Sequence, residues 1–429
     1  MASPAAIAQY FYEGGIEYRI TNDDRTEAVV ASAYGGYSGD VVIPSTVTSV
    51  IWSDYEEYNV TATVVGIDEE AFRGCSQLTS VTLPGTLRTI GRNAFYECTA
   101  LQEITLSSSL TTIGASAFGY CTSLTSIAIP SGVNSIGWNA FYCCTGLTSV
   151  TIPNTVTQLN GTFFGCTGLT DIALPESLIT LDGTFTGCTG LTSIVVPASV
   201  GYIGAKTFEG CTALQSVVLP STLTYLAEQA FFNCENLKSV TCLAATPPAM
   251  YNYNSECFAY STYMDGKLFV PGASIDRYQS TDWWNLFSNI NALMSLNETS
   301  LTLERGRTFS LVPTLAPGFA TGATVSWHSS DPAVVTVTDD GLIRAIALGE
   351  AFIYASLQGE EAACKVVVIA GEAIPGDIDG DGQVGIADIS TLIDLILAGT
   401  FDPSLHDVDG DGQVGIADVS ALIDMILAG

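Results

Sequence analysis

The chain has 429 residues, with 13 Lys+Arg against 44 Asp+Glu and a net charge of −31. A protein that grips phosphate needs a basic footprint, so nucleic-acid binding and electrostatic docking on an anionic membrane are excluded. Hydrophobic residues reach 47%, yet no uninterrupted apolar run approaches the ~18 residues of a membrane span, which argues for buried cores over membrane insertion or disorder.

Two histidines in the whole chain leave little room for His-dependent catalysis. Met1-Ala2-Ser3-Pro4 has no basic n-region, and Ala5 to Ala8 is too short for an apolar h-region, so no signal peptide is legible. Residues 1–70 hold 12 Asp+Glu and 2 Lys+Arg and alternate in Tyr10 to Ile20 and Ala28 to Tyr34. This pattern predicts a strand-rich N-terminal cap. Val41 to Val47 and Val64 to Cys75 read as the two halves of a first repeat, with Trp52 to Asn59 inserted between them.

The repeat itself emerges by counting. Cysteines stand at 75, 98, 121, 144, 166, 188, 211 and 234, spaced 23, 23, 23, 22, 22, 23 and 23 residues apart. A period of this size in so regular a chain predicts a solenoid. In one unit, Leu78, Val81 and Leu83 form a short strand with one buried face, ended by Pro84 and Gly85. Leu87 and Ile90 return inward, Gly91 turns, and Ala94, Phe95 and Cys98 complete the interior. One coil cannot bury these residues alone; stacked coils can. Two coils, at Gly161-Thr162-Phe163 and Gly183-Thr184-Phe185, are one residue short.

The recurring L-x-x-[VI]-x-[LI]-P … [IL]-G-x-x-[AT]-F-x-x-C pattern, over about Asp40 to Ile290, resembles the BspA-like leucine-rich repeats of bacterial surface proteins. Residues 71–294 are assigned to these repeats and a C-terminal cap. In that cap Lys267 to Pro271 reads as a last strand and Ser274 to Ile290 as a closing helix. The cysteine ladder reads as free, buried thiols, because stacked equivalents have nearly parallel Cβ vectors. Cys242 and Cys257 lie off the ladder and are the disulfide candidates. Cys143 is expected to face outward.

Residues 295–372 lose the repeat and show short alternating strands, which predicts a small β-sandwich. Val325-Ser326-Trp327-His328-Ser329-Ser330-Asp331-Pro332 followed by Asp340-Gly341-Leu342-Ile343 resembles the group-2 bacterial immunoglobulin-like domain, implying a spacer or adhesive module. His328 reads as a surface strand residue.

Residues 373–429 contain a second repeat of period 30: Asp377 to Asp388 recurs as Asp407 to Asp418. Acidic residues at loop positions 1, 3, 5 and 12, with Gly at 6, make the oxygen cage of a hard cation. The proposed ligands are Asp377, Asp379, Asp381, the Gln383 carbonyl and Asp388, then Asp407, Asp409, Asp411, the Gln413 carbonyl and Asp418. Two calcium ions are expected. An amphipathic helix follows each loop and none precedes it. Paired half EF-hands of this kind resemble a dockerin, which implies a cohesin-like docking partner. Loop positions 10 and 11, a hydroxyl-bearing recognition pair in cellulosomal dockerins, are here Ile386-Ala387 and Ile416-Ala417, which counts against a standard cellulosomal cohesin.

The overall expectation is a mainly β chain with short helical turns: a leucine-rich repeat solenoid, a β-sandwich, and a small α-helical paired half-EF-hand module. No paired carboxylates or nucleophile–base pair stand out on the solenoid strands, so no catalytic residue is expected. Tyr96, Tyr120, Trp138, Tyr142 and Phe164, with Phe232, recur before the cysteines. They either form a ligand-binding strip for sugar rings or protein, or pack along the outer edge between coils. The modular order suggests a non-catalytic secreted or cell-surface bacterial binding protein whose solenoid binds a protein or glycan ligand, on a host or another cell. The alternative is a non-catalytic accessory of a polysaccharide-capturing or -degrading complex.

Overall fold

Gln77–Thr82 shows how one coil builds itself. Leu78 and Val81 are buried while Thr79, Ser80 and Thr82 are not. The strand pairs in parallel with Ser38–Val42 on one side and Glu103–Thr105 on the other. This is what a 23-residue repeat with one apolar face produces when equivalent segments stack. The computed structural model describes residues 10–31, 36–53, 56–250, 256–320, 322–370, 375–380 and 383–428. They divide into two compact units, Met1–Ala292 and Leu293–Gly429.

In the first unit, most coils contribute two parallel strand segments, and the coil that starts at Leu169 contributes only the second. One column carries pairs such as Ser126–Ala128 with Ser149–Thr151, and Ser216–Leu219 with Ser239–Cys242. The other carries Thr112–Ile113 with Ser135–Ile136, and Gln158–Asn160 with Thr180–Asp182. The tight turns between columns hydrogen-bond coil to coil as well: Phe95 N–H donates to Ala117 O at 2.7 Å, and Phe118 N–H to Ala140 O at 2.8 Å. The glycine after the second strand allows this closeness. A Cβ on Gly114 would lie 2.5 Å from the Gly91 carbonyl carbon, and one on Gly137 would lie 2.3 Å from the Ala115 nitrogen.

The interior is a file of phenylalanines. Phe72, Phe95, Phe118, Phe141, Phe163, Phe185, Phe208, Phe231 and Phe258 are fully buried. Consecutive rings stack with centroids 4.9–5.8 Å apart and planes within 2–13°. The cysteine ladder runs beside them. Cys98 Sγ donates to Phe72 O at 3.1 Å, Cys121 to Phe95 O at 3.2 Å, and Cys144 to Phe118 O at 3.0 Å; the pattern continues to Cys234 and Phe208 O. The thiol therefore fills space and also satisfies a carbonyl of the preceding coil. Burial pushes the Cys188 thiol up to about 12, so it stays protonated and unreactive.

Before the first coil, Tyr10–Glu13, Ile16–Ile20 and Glu27–Val30 pair antiparallel in sequence order. Glu27–Val30 hands over in parallel to Glu56–Ile67. The insertion in the first coil is an antiparallel hairpin, Thr46–Ser53 with Glu56–Ile67. The other end differs from expectation. Ser274 to Ile290 is not one closing helix: Ile275–Ser280 is helical, Thr281 is extended, Trp283 has a positive φ, and Asn289–Ala292 is a further parallel strand. The aromatic cluster explains the break. Tyr278 donates its hydroxyl to Ala244 O at 2.7 Å and Trp284 its Nε1–H to Pro248 O at 2.8 Å. A continuous helix could not turn both inward. Cys242 and Cys257 are not bonded to each other. Cys242 Sγ lies 3.2 Å from the Tyr278 hydroxyl, and Cys257 Sγ points at Ala227 O. Burial pushes Cys242 up to about 11.

In the second unit, Ser300–Glu304, Glu360–Ile369, Gly349–Leu357 and Ser326–Ser329 form one sheet. Thr308–Ser310, Leu342–Ala345 and Val335–Val337 form another. Val335, Ile343, Ile353, Cys364 and Val366 are buried. His328 is exposed and stacks on Tyr354 at 4.7 Å. Beyond these strands come the helices Ile386–Ala398, Pro403–His406 and Ile416–Ala428.

Two outcomes are expected of this core. Phe141→Ala removes a ring stacked on Phe118 at 5.3 Å and Phe163 at 5.6 Å; urea unfolding should show a loss of about 3–5 kcal/mol. Among twelve free cysteines only Cys143 is not buried. A thiol reagent added to the native chain should label one site rapidly, and Cys143→Ser should remove that phase.

Candidate functional site

The two acidic loops fold alike because their sequences repeat. In the first, Ile378 and Asp379 N–H donate to Asp388 Oδ1 at 2.7 and 3.0 Å, and Gly385 N–H donates to Oδ2 at 2.7 Å. In the second, Val408 and Asp409 N–H reach Asp418 Oδ1 at 2.8 and 3.2 Å, and Gly415 N–H reaches Oδ2 at 2.7 Å. Both carboxylates sit in the first turn of a helix and are 1% exposed. A buried carboxylate held by three N–H groups is a fixed anion. Burial pushes the Asp418 carboxyl up, but the Gly415, Asp409 and Val408 amides together hold it below the usual range.

The structure brings Asp377, Asp379 and Asp388 together, with one carboxylate oxygen from each lying within 4.8 Å of the others. It does the same with Asp407, Asp409 and Asp418. An all-oxygen, triply anionic donor set fits a hard divalent cation and no soft one. Asp381 lies outside the described residues. Asp411 is exposed, and its Oδ1 accepts the Gln413 N–H at 2.8 Å. Its short side chain closes a local turn there rather than joining the trio. The Gln383 and Gln413 side chains are exposed, and the expectation for both concerned only their carbonyls. Asp407 accepts the amides of Gly410, Asp411 and Gly412 at 2.8, 3.1 and 2.8 Å, so the second loop wraps its own first ligand.

Position 10 of each loop, the first residue of the helix, is apolar and open to solvent. Ile386 is 77% exposed and Ile416 is 89% exposed. At the far end of the same helices, Leu397 and Leu427 are each 80% exposed. Their buried counterparts are Leu392 and Leu422.

On the solenoid, the aromatic line splits into two groups. Tyr96, Tyr120 and Tyr142 contact one another edge-on at 5.5 and 5.2 Å, and Phe164 stacks on Tyr142 at 5.0 Å. All four are half-buried. Tyr96 and Tyr120 therefore belong to packing along the coil edge. Trp138 is 58% exposed. With Tyr142 and Phe164 it lines a trough of about 710 Å³ that also takes in Asp182, Thr186, Lys206 and Glu209. The acids and the lysine of this trough went unnoticed in the sequence, because no periodic signal singles them out.

Residues 51–164 and 147–265 match the BspA type leucine rich repeat region, residues 292–367 the group 2 bacterial Ig-like domain, and residues 375–427 the dockerin type I domain. The chain belongs to the BspA-type leucine-rich repeat family and carries a bacterial Ig-like domain and a dockerin. A leucine-rich repeat protein of Treponema pallidum is 31% identical, covering 49% of this chain and 90% of its own, at a TM-score of 0.38. One from Bacteroides ovatus is 24% identical, covering 69% and 85%, also at 0.38. A leucine rich cell surface protein of Faecalibacterium prausnitzii is 23% identical, covering 68% and 95%, at 0.32. An uncharacterized protein of Clostridium acetobutylicum is 40% identical over 67 residues, 16% of this chain. The chain spans about a sixth of that relative's length, since the match covers 17% of it. Dockerin type I domains bind calcium and dock to cohesin-type partners, and proteins built from these modules are typically non-catalytic and extracellular or surface-bound. Among the described residues no helix is long and apolar enough to cross a membrane.

Chelation tests the loops. Asp388→Ala leaves three backbone N–H groups without their acceptor, at about 1–3 kcal/mol each where they stay buried. Calcium titration of the full chain should give two binding events in the parent and one in the variant. EDTA should make the segment after residue 375 sensitive to protease while leaving the solenoid resistant.

Proposed function

We propose that the chain is a non-catalytic recognition protein working outside the cell: residues 71–294 present the binding surface, 295–372 space it, and 373–429 fold around two calcium ions and dock. Residues 1–70 cap the solenoid. The ligand is a protein or glycan of a host or of another cell surface. The observation that carries the docking half is the matched pair of exposed apolar residues, Ile386 with Leu397 and Ile416 with Leu427. Four large aliphatics in water on a small module are costly unless a partner covers them. Ile386-Ala387 and Ile416-Ala417 stand where a hydroxyl-bearing pair is expected, so the partner's complementary face is apolar.

Glu209 and Asp182 share one trough, but Glu209 is tied to Lys206 at 3.4 Å, and this favours a binding role over paired acid–base chemistry.

Calorimetry against a panel of purified type I cohesin modules tests the docking half. Binding should need calcium and should weaken about a hundredfold or more in the Ile386→Asp/Ile416→Asp double variant, because losing a central apolar anchor costs about 2 kcal/mol. No binding to any cohesin in calcium would remove the cohesin-type partner.

A further inference from the structure

The solenoid's trough sits where the repeat is short. In the regular coils a small residue follows the second strand, usually glycine, as in Ile136-Gly137-Trp138-Asn139 and Ile203-Gly204-Ala205-Lys206, and once Ala227. The two short coils omit that glycine and read Leu159-Asn160-Gly161 and Leu181-Asp182-Gly183. The hydrogen bonds keep the register: Ser116 N–H donates to Trp138 O, Asn139 N–H to Asn160 O, Gly161 N–H to Asp182 O, and Gly183 N–H to Ala205 O. Asn160 and Asp182 thus stand where Trp138 and Ala205 stand, on a chain one residue shorter. The next position, filled by Asn139 and Lys206 in the flanking coils, is bare glycine at 161 and 183. Two consecutive coils therefore lack both the extra residue and the side chain, and the surface dips between Trp138 and Lys206. At about 4.8 Å per coil this spans roughly 15 Å.

We propose that this trough binds a neutral saccharide, with a pyranose ring lying against Trp138. The proposal rests on the recognition reading above and names its ligand class. The volume of about 710 Å³ is that of a small-molecule site. One wall is aromatic (Trp138, Tyr142, Phe164) and the other polar (Asp182, Thr186, Lys206). A pyranose matches that division, since its axial C–H groups make an apolar face and its equatorial hydroxyls a polar rim. An apolar peptide would leave the polar wall unpaired, which is costly. Charge selects a neutral sugar: Lys206 is already paired with Glu209 at 3.4 Å, and Asp182 adds a further negative charge. An acidic glycan would meet net repulsion. Burial holds the Asp182 carboxyl above the usual carboxylate range, against the Ala205 amide, so a hydroxyl donor from a ligand would improve its surroundings.

Two variants test the site in opposite ways. Trp138→Ala removes an exposed ring without touching the core. Gly183→Asn adds a side chain to the trough: a Cβ there meets nothing closer than Thr186 Oγ1 at 3.9 Å, and Asn139 already holds the same positive φ in a regular coil. The full chain and both variants are titrated with cellotetraose, xylotetraose, mannotetraose and maltotetraose, with tetragalacturonate as the charged probe. At least one neutral probe should bind saturably and tetragalacturonate should not. Both variants should weaken that binding about tenfold or more at unchanged thermal stability. Failure of every neutral probe to bind, or binding that survives both variants, overturns the proposal. A second arm separates this from failure of the recognition role. The immobilised chain is exposed to bacterial and epithelial surface extracts, either periodate-oxidised or protease-treated. Capture that survives periodate but not protease rejects the sugar site and keeps a protein-binding solenoid; no capture by any treatment rejects both.

Discussion

Every coil of the solenoid is completed by the coils on either side of it. The Phe118 ring lies on Phe95, the Cys121 thiol caps the Phe95 carbonyl, and the Phe95 amide finds its acceptor on Ala117 of the next coil. Apolar burial, ring stacking and hydrogen bonding all run along the stack, between neighbours. No coil holds these groups away from water by itself. The same dependence fixes the sequence. Gly114 and Gly137 are required where backbones approach too closely for any Cβ. The phenylalanine and the cysteine are required because their partners are their own equivalents. Repetition in the sequence is thus the direct outcome of a repeated interface.

The C-terminal module meets the opposite constraint. Its two helices bury Leu392 and Leu422 fully and leave Ile386, Leu397, Ile416 and Leu427 in water. Eleven aspartates and no cation fall in its last 54 residues. Asp388 and Asp418 are buried and gripped by loop amides, so each loop already organises one anion and gathers two more beside it. Like charges this close repel one another in a poorly solvated site. A bound divalent ion turns that repulsion into the main cohesive term, which a small module with so little apolar core needs.

Much of this was legible in the residues because periodicity is a statement about neighbours. The cysteine spacing predicts the stack, and the twelve-residue acidic repeat predicts the cage. What was not legible depends on contacts that no spacing encodes. The Cys242–Cys257 pairing fails because Tyr278 occupies the Cys242 thiol and the Ala227 carbonyl faces Cys257. The closing helix breaks because Tyr278 and Trp284 must both turn inward to reach carbonyls near residues 244–248. The aromatic line divides into edge packing and trough lining because Trp138 stands one step away from the tyrosine file, with no ring stacked on it among the described residues.

The departures from the repeat therefore carry the specificity. A coil that keeps the pattern offers mostly small hydroxyls on its strands, with an occasional larger side chain such as Glu103, and many of the hydroxyls are spent on the adjacent coil, as Thr148 is on the Thr125 carbonyl at 3.0 Å and Thr192 on Thr170 at 3.2 Å. Such a surface has little left with which to distinguish one ligand from another. Losing a single glycine costs the stack little, because Asn160 and Asp182 keep the hydrogen-bond register. The loss still changes the outside, where a dip, an exposed indole and a half-buried carboxylate meet. A solenoid can diversify in this way at low structural cost: its core tolerates a shortened edge as long as the stacked ring and the thiol remain, and Phe163, Cys166, Phe185 and Cys188 all do.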